Sequence, residues 1–320
     1  MLIYFLTIIS GAADAANRVV IKVTHVSTYT LLGFGYLFAI PYYLFGLFLV
    51  GIPEVRPEFW WAVERHIPLF TLASILTVEA HRRGPLILTA TYLTFTPAFM
   101  LLISPWMGGG SPNAVGAAAV LGLVIGAYVL HTKELQKGLN LRPDQRRDLL
   151  APFRELARER GSLLMLLVSF IFAFTANLDY VAFRAANIPF YLAVDHGAVS
   201  AICFLLALIY WAMGRREIDP RTQTERTFNP AGSWHAFALW GMFAALSTIP
   251  NYLALRQIGV VPYAFAGKRM GTILFSVLYG IVLGSFAKFA DERKHIRWRL
   301  AGVAIMVTSM LVIMLWGKDS

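Results

Sequence analysis

Charged residues are scarce in this chain. They make up 14% of its 320 residues, whereas 58% are hydrophobic, and the mean hydropathy is +0.61. A soluble domain usually contains about 25% charged residues. The composition therefore excludes an ordinary soluble protein and predicts an all-α integral membrane protein that crosses the bilayer many times.

Cysteine is nearly absent as well, since Cys203 is the only one and lies within an apolar run. A single cysteine excludes a disulfide framework and a cluster of thiolate metal ligands. The patterns H-E-x-x-H, G-x-S-x-G and the Walker A phosphate loop are also missing from the sequence. We therefore predict a protein that is not an enzyme, binds neither metal nor cofactor, and does not hydrolyse ATP.

Acidic residues are the scarcer of the two charged classes. The chain has 18 of them against 28 lysines and arginines, so its formal net charge is +10. In a soluble chain such an excess would indicate nucleic-acid binding. Here the basic residues gather between apolar runs, where they set the topology and meet anionic lipid head groups. We expect the lipid bilayer as a partner, and no nucleic acid.

Ten apolar runs are candidates for transmembrane helices, because about 20 mostly apolar residues cross a bilayer core. The third run is short and ends in the polar stretch EAHRRG. A polar segment at 132–161 divides the runs into five in residues 1–131 and five in residues 162–320. The runs cover approximately residues 2–23, 28–50, 67–82, 85–107, 113–131, 162–184, 189–213, 233–255, 259–284 and 298–316.

The polar segment between the halves has a helical pattern of its own. Apolar residues recur in it at helical spacing, with arginines on the opposite side. They are Leu149, Leu150, Phe153 and Leu156. The pattern fits a short amphipathic helix on the membrane surface or a flexible linker, and the sequence leaves both open.

The two halves resemble each other weakly. NRVVIK at 17–22 is similar to DYVAFR at 179–184. RRGPLILTATYLTFTPAFMLLISPWMGG is similar to QIGVVPYAFAGKRMGTILFSVLYGIVLG when Gly84 is set on Gly259. Because five is an odd number, a duplicated five-helix unit must have its second copy inverted in the membrane. Two inverted five-helix repeats, with a site near the midplane between them, are a transporter architecture.

Several motifs resemble those of the drug/metabolite transporter superfamily, in particular its EamA-type family. The most specific segment is KRMGTILFSVLYGIVLG, followed by DERKHIRWRLAGVAIMVTSMLVIML. NLDYVAFRAANIPFY and ANRVVIK are similar to the starts of the family's two repeats. The resemblance implies ten helices in two five-helix repeats. The chain departs from the family at Asp14-Ala15, which replaces an aromatic-glycine pair, and at MGGGSPN, which replaces an acidic residue after the fourth helix.

Two adjacent cations, Lys268 and Arg269, interrupt the ninth apolar run. Lys268 lies about 13 Å along the helix from Gly259, and an ionised side chain at that depth costs at least about 2.5–3.5 kcal/mol. The pair either binds the phosphate or carboxylate of a substrate or is permanently paired with membrane carboxylates. The plant sugar-phosphate translocators, which are distant members of the superfamily, carry a similar Lys-Arg pair that binds the substrate phosphate.

Two carboxylates are placed near the middle of predicted helices. Asp14 has Asn17 about one turn further along the same face, and Asp179 occupies the repeat-related position of Asn17. Each carboxylate can bind a substrate amine, serve as a proton site or act as a counter-ion of the cation pair. Four other polar residues are nearer to helix ends and are expected to be solvated or interfacial. They are Glu79, His81, Asp195 and His196.

Three further side chains are candidates for the walls of a binding cavity. Asn251 follows a proline, which can free backbone carbonyls at a kink. Tyr92 and Tyr180 can line the cavity or pack between helices, as membrane aromatics often do. Gly267 and Gly271 flank the cations in a G-x-x-x-G pattern, which lets helices approach closely or makes room for a ligand.

Together these features predict a secondary active transporter of a small anionic or zwitterionic metabolite that bears a phosphate or carboxylate. Lys268 and Arg269 hold its acidic group, a proton or an exchanged solute drives transport, and rocking of the halves alternates access. Two alternatives remain: a membrane-embedded enzyme that modifies lipids with His196 and the carboxylates, and a receptor or scaffold with charges locked in salt bridges. A monomer and a homodimer are both compatible with the sequence.

Two indications of orientation disagree. The connections that follow the odd-numbered helices hold about 20 lysines and arginines and the opposite face about 5, which by the positive-inside rule places both termini outside the cytoplasm. The resemblance to EamA-type proteins implies that both termini are inside. In either case we expect the cell (inner) membrane.

Overall fold

The computed structural model describes residues 2–83, 92–138, 160–218, 225–283 and 296–317. Within these ranges the chain forms ten helices and one short hairpin. The helices are α1 (Leu2–Val23), α2 (Thr28–Val50), α3 (Pro57–Arg83), α4 (Phe95–Met107), α5 (Ala114–Gly138), α6 (Arg160–Ala185), α7 (Ile188–Ala212), α8 (Trp234–Ile258), α9 (Val261–Leu283) and α10 (Ile296–Trp316). The hairpin pairs β1 (Glu217–Ile218) with β2 (Glu225–Arg226) in antiparallel register.

The prediction of a short third helix is wrong. α3 begins at Pro57 instead of residue 67 and is 27 residues long. Its first turns contain Glu58, Glu64 and Arg65, so an apolar-run criterion misses them, although a proline at the first position suits the start of a helix. The added turns matter because they carry His66.

Two other predictions fall on residues outside the described ranges. One is the start of the fourth helix near residue 85, because α4 is described from Phe95 onward. The other is the amphipathic segment that contains Leu149 and Leu156. The first residues of the polar segment, 132–138, continue α5, which ends at Gly138.

The chain is a helical membrane protein by length and composition. Large apolar side chains cover its outer surface, where Phe48 is 84% and Trp106 is 89% exposed, while polar side chains such as Asp179 and Asn251 are buried. This reverses the distribution found in soluble proteins and suits lipid surroundings. Five described helices are long and apolar enough to cross a membrane. They lie at Thr28–Val50, Leu163–Ala185, Ile188–Ala212, Trp234–Ile258 and Val261–Val282.

The helices pack in a regular set of pairs. α1 lies between α8 and α9, and α6 lies between α3 and α4. α2 packs against α7, and α5 packs against α10. Each of these pairs joins a helix of the first half to a helix of the second half. The interior therefore forms between the halves instead of within either one.

Small residues allow α1 and α9 to approach closely. A Cβ atom on Gly11 would collide with the carbonyl oxygen of Lys268 and the backbone of Gly271 and Thr272. On the other side of the contact, a Cβ atom on Gly271 would collide with the backbone of Ile8. The predicted role of the G-x-x-x-G pattern in helix packing is confirmed, and this contact sets Lys268 beside the middle of α1.

We expect Gly11→Ala to lower the unfolding free energy by about 1–3 kcal/mol, because the added methyl group meets backbone that cannot move aside. Gly197→Ala is a matched control. It adds the same methyl group inside a helix, where the only atom within 4 Å is Cδ1 of Ile40 at 3.9 Å. Thermal unfolding of the two purified variants in detergent measures the difference, and equal midpoints would contradict the close approach.

Candidate functional site

A cavity of about 130 Å³ lies between the two halves. Its walls come from α1, α2 and α3 of the first half and from α6 to α9 of the second, with Leu93 immediately before α4. One part of the wall is charged and consists of Asp14, Arg18, Asp179, Lys268 and Arg269. Another part is aromatic and consists of Tyr36, Phe70, Phe172, His196, Trp240, Tyr252 and Phe265, and the remaining wall residues are small polar or aliphatic ones. Such a mixed wall suits a small molecule with one ionised group and an apolar part.

Lys268 is a nearly buried ammonium group without a carboxylate partner. Its Nζ atom donates to the carbonyl oxygen of Ser247 at 3.0 Å, and its residue is 9% exposed. Within the described part of the chain, no carboxylate oxygen lies within 4.0 Å of Nζ. The carbonyl belongs to the turn of α8 that precedes Pro250, and it also accepts from the hydroxyl of Ser10 on α1. An ammonium group can donate three hydrogen bonds, so two positions remain for a ligand in the cavity.

Arg269 and Arg18 share a single carboxylate. Asp14 Oδ2 lies 2.5 Å from Arg18 Nη2 and 3.6 Å from Arg269 Nη1, and it also accepts from the hydroxyl of Thr272 at 3.0 Å. The guanidinium of Arg269 lies over the ring of Phe172, 5.4 Å from the ring centroid. Together with the nearby Lys268, the described part of this cluster has three cations and one carboxylate, so its formal net charge is +2.

The second carboxylate of the cavity wall belongs to a separate cluster. Asp179 Oδ1 lies 2.7 Å from Nε2 of His66, and Asp195 Oδ1 lies 2.7 Å from Nδ1 of the same ring. Asp179 also accepts hydrogen bonds from the hydroxyl groups of Tyr191 and, at 2.8 Å, Tyr252. Asp179 is therefore committed to neutral donors and to His66. The prediction that it could be the counter-ion of Lys268 or Arg269 is not supported by any contact within 4.0 Å.

Three residues predicted to be solvated or interfacial are buried in the protein instead. The exposed fractions are 1% for Asp195, 2% for His196 and 0% for His81. His196 Nδ1 lies 2.7 Å from the hydroxyl of Tyr43, and its ring faces the cavity. For Asp195 and His196 the prediction is wrong because α7 packs against α2 and α3. His81 is in the last turn of α3, where its side chain is buried inside the bundle. Glu79, with a side chain 23% exposed, is half-buried.

Not every predicted site residue lines the cavity. Asn17 does, but its amide bonds to backbone of α8, donating to the carbonyl of Trp240 at 3.0 Å and accepting from the N–H of Ala244 at 3.1 Å. Asn251 is completely buried outside the cavity wall. Tyr92 and Tyr180 are likewise absent from the wall.

The two tyrosines have packing roles. Tyr180 accepts from Nη1 of Arg184 at 3.0 Å, one helical turn away. Tyr92 packs with Leu93 and Val168 in a small apolar cluster, and its carbonyl accepts from the hydroxyl of Ser169 at 2.7 Å. Of the two roles considered from the sequence, lining the cavity and packing between helices, both side chains have the packing role.

A charged network joins the halves at one end of the bundle, which we call the hairpin face. This face comprises residues 24–27 between α1 and α2, the end of α3, and the β1–β2 hairpin. Glu217 of the hairpin accepts from Arg82 of α3 at 2.9 Å and from Arg226 at 2.7 Å. It also accepts from the backbone N–H and the hydroxyl of Thr28, and Ser27 N–H donates to the carbonyl of Thr227 at 2.8 Å. These contacts hold the hairpin face closed.

No family model and no curated protein matches the chain. Among solved structures, 24 chains are similar to it. One of them, described as "Crystal structure of protein", is similar over 99% of this chain and 96% of its own, with a TM-score of 0.60 and 15% identity. At this identity the similarity shows that the overall fold is shared, and it says nothing about function.

We expect Asp14→Asn to lower the unfolding free energy by more than about 1 kcal/mol, because Asp14, with a side chain 23% exposed, is the carboxylate that two nearly buried arginines share. Removing one partner of a fully buried ion pair costs about 3–5 kcal/mol. Glu225→Gln is the control. It removes a carboxylate from an exposed pair with Arg216, at 3.1 Å, and such pairs contribute at most about 1 kcal/mol. Thermal unfolding of both variants compares the losses, and a small loss for Asp14→Asn would contradict the shared-carboxylate arrangement.

Proposed function

We propose that the chain is a secondary active transporter of the drug/metabolite transporter superfamily, EamA-type family, and not an enzyme. Its substrate would be a small metabolite with a phosphate or carboxylate group, bound in the cavity by Lys268 and Arg269. The observation that carries the proposal is Lys268, which lines the cavity with no carboxylate within 4.0 Å among the described residues. A buried cation of this kind is costly unless an anion joins it.

The charge of the cluster favours an anion over a zwitterion. Two of the three positive charges around Asp14 are not balanced, and a guanidinium beside an ammonium group suits phosphate or carboxylate oxygens. A zwitterion would also need an acceptor for its amine. Asp179 already accepts three hydrogen bonds, from His66, Tyr191 and Tyr252, so it has little capacity left for one.

The helix packing supports two inverted five-helix repeats. If each helix of the first half corresponds to the helix five later, the pair α1–α9 corresponds to α6–α4 and the pair α1–α8 to α6–α3. The pairs α2–α7 and α5–α10 correspond to themselves. These are the pairs that pack, so the arrangement is that expected of a two-fold relation between the halves.

A residue-level contact agrees with this relation. In the register that sets Asn17 on Asp179, Thr7 corresponds to Ser169. In the register that sets Gly84 on Gly259, Gly267 corresponds to Tyr92. A Cβ atom on Gly267 would meet the hydroxyl of Thr7, and Ser169 donates to the carbonyl of Tyr92. In both halves, a hydroxyl group therefore lies against the backbone of the other half at corresponding positions.

Alternating access requires that one end of the cavity opens while the other is closed. The network of Glu217, Arg82 and Arg226 joins the halves at the hairpin face, and it is made of ion pairs that can separate into water. The connections after the odd-numbered helices, to which the residues of this face belong, carry most of the lysines and arginines. The positive-inside rule would place it in the cytoplasm, and the family resemblance would place it outside.

One observation supports the alternative of a lipid-modifying enzyme, since histidines and aspartates lie close together beside the cavity. General base catalysis needs a ring nitrogen that faces the substrate. Both nitrogens of His66 contact carboxylates, and His196 Nδ1 contacts Tyr43. This arrangement therefore favours transport over catalysis. A receptor or scaffold with locked charges is less compatible with the cavity at Lys268.

We expect Lys268→Met and Arg269→Gln each to reduce transport about tenfold or more, because a hydrogen bond to a charged group contributes about 1.5–3 kcal/mol. Uptake of radiolabelled inorganic phosphate, glycerol phosphate and succinate into proteoliposomes measures the effect. Arg256→Gln, at an exposed position near the end of α8, controls for the loss of a positive charge. Equal uptake in the wild type and both site variants would contradict the proposed site.

We expect Glu217→Gln to open the hairpin face, because it weakens the contacts of one carboxylate with two arginines. The measurement uses Thr77→Cys, at a position in the cavity wall, in a Cys203→Ser background. A membrane-impermeant maleimide applied to right-side-out and inside-out vesicles should label the cavity faster from the hairpin face in the Glu217→Gln variant.

The control for this labelling is Glu225→Gln, on the same hairpin but paired only with the exposed Arg216 in the described contacts. It should label at the parent rate. Rapid labelling of the parent protein from the hairpin face would contradict the closed network. The vesicle type that responds also identifies which face is cytoplasmic.

A further inference from the structure

His66 is held between two buried aspartates from different helices. Its ring joins Asp179 on α6 to Asp195 on α7, at 2.7 Å on each side. The exposed fractions are 1% for His66, 4% for Asp179 and 1% for Asp195. Since α3 belongs to the first half and α6 and α7 to the second, this Asp-His-Asp triad ties the two halves together beside the cavity.

The hydrogen bonds fix the number of protons in the triad. A neutral imidazole has one N–H group, and two ionised carboxylates have none. Contacts at 2.7 Å on both ring nitrogens therefore require a second proton, which makes either an imidazolium between two carboxylates or an imidazole beside one carboxylic acid. Either form has a net charge of −1. One more proton makes the triad neutral, which lowers the cost of keeping it in a low-dielectric interior.

The surroundings of the triad leave this charge uncompensated. The titratable and charged groups that face it from the packed helices are Tyr36 and Tyr43 of α2, Asp179 of α6, Tyr191, Asp195 and His196 of α7, Tyr252 of α8 and Lys268 of α9. Most of these are neutral donors. Lys268 acts at longer range, because no carboxylate lies within 4.0 Å of it among the described residues.

The triad reaches the cavity through Asp179, which is part of the cavity wall. At its other end, Asp195 Oδ2 lies 4.0 Å from Nε2 of His196, which is too long for a hydrogen bond, although the ring of His196 is also part of the wall. A proton that enters or leaves the triad at Asp179 therefore passes through the cavity, and so reaches whichever side of the membrane the cavity faces.

We propose that Asp179, His66 and Asp195 form a proton-binding site that couples substrate movement to a proton gradient. The inference rests on the proposed transport function and names its coupling ion. The step is a proton transfer from water in the cavity to the carboxylate of Asp179, with release to water on the other side. Binding the proton removes an acceptor of His66 and so weakens the tie between α3 and α6, which links protonation to movement of the halves.

Charge balance gives the proton a role in carrying a dianion. The cavity and triad together hold four cations, counting the imidazolium form of His66, and three carboxylates. A monovalent anion neutralises this set alone. A divalent anion such as a phosphate monoester leaves one negative charge, which a single proton on the triad removes. We therefore expect proton dependence to be stronger for divalent than for monovalent substrates, because moving an unbalanced charge through the bilayer is costly.

Solid-supported membrane electrophysiology tests the site without knowledge of the substrate. Proteoliposomes with the full chain receive an acidifying step at about pH 7, within the range where an imidazole-containing site exchanges protons, in a buffer without phosphate or carboxylate. We expect a transient current from proton binding in the wild type, its loss in Asp179→Asn and Asp195→Asn, and its retention in Glu225→Gln. Thermal unfolding checks that the isosteric variants are folded.

The outcomes separate this inference from the transport proposal. Absence of the current in the wild type, or its persistence in both folded triad variants, would overturn the proton site. If the current is present but wild-type uptake of inorganic phosphate is independent of a pH gradient, the coupling is overturned. A normal proton current with no uptake of phosphate, glycerol phosphate or succinate would instead count against the transport proposal and leave the proton site standing.

Discussion

The excess of positive charge around Asp14 is the interaction on which the rest of the site depends. Arg18 and Arg269 share this one carboxylate, and Lys268 lines the same cavity with no carboxylate within 4.0 Å among the described residues. In a medium of low dielectric constant such an arrangement is stable only if other negative charge or water can reach it. The close approach of α1 and α9 at Gly11 brings the groups together. The cavity next to these cations provides the space in which the proposed anion would bind and compensate their charge.

The negative counterpart lies beside the same cavity, where Asp179 is part of the wall. The Asp-His-Asp triad carries a net charge of −1, and neither of its carboxylates lies within 4.0 Å of Arg18, Lys268 or Arg269. If the two clusters were in direct contact they would neutralise each other and leave nothing for a ligand. Held apart, each remains sensitive to what enters the cavity. A bound anion stabilises the cations, and a bound proton stabilises the triad.

The sequence predicts the helical class, most helix positions, the cation pair, Asp14, Asn17 and Asp179, because an ionised or amide group in an apolar run is conspicuous. Burial of Asp195 could not be foreseen, since it depends on α2 and α3, which are distant in the sequence. His66 escaped notice because the polar first turns of α3 do not form an apolar run. Asn251 was wrongly placed in the cavity wall, because the sequence does not specify which face of α8 points inward.

The two halves place different side chains at corresponding positions of the cavity wall, so the charge is distributed unevenly around the cavity. In the proposed repeats, Lys268 corresponds to Leu93 and Asp179 to Asn17, and all four residues line the cavity. If the two walls were identical, opening the cavity to either side of the membrane would cost the same free energy. The cavity would also not distinguish a negatively charged substrate from a positively charged one. With a cation opposite a leucine and a carboxylate opposite an amide, the two openings of the proposed transport cycle would present different fields to the cavity. In that cycle, binding an anion and a proton together would reduce the difference, so that the loaded protein would change between openings more easily than the empty one.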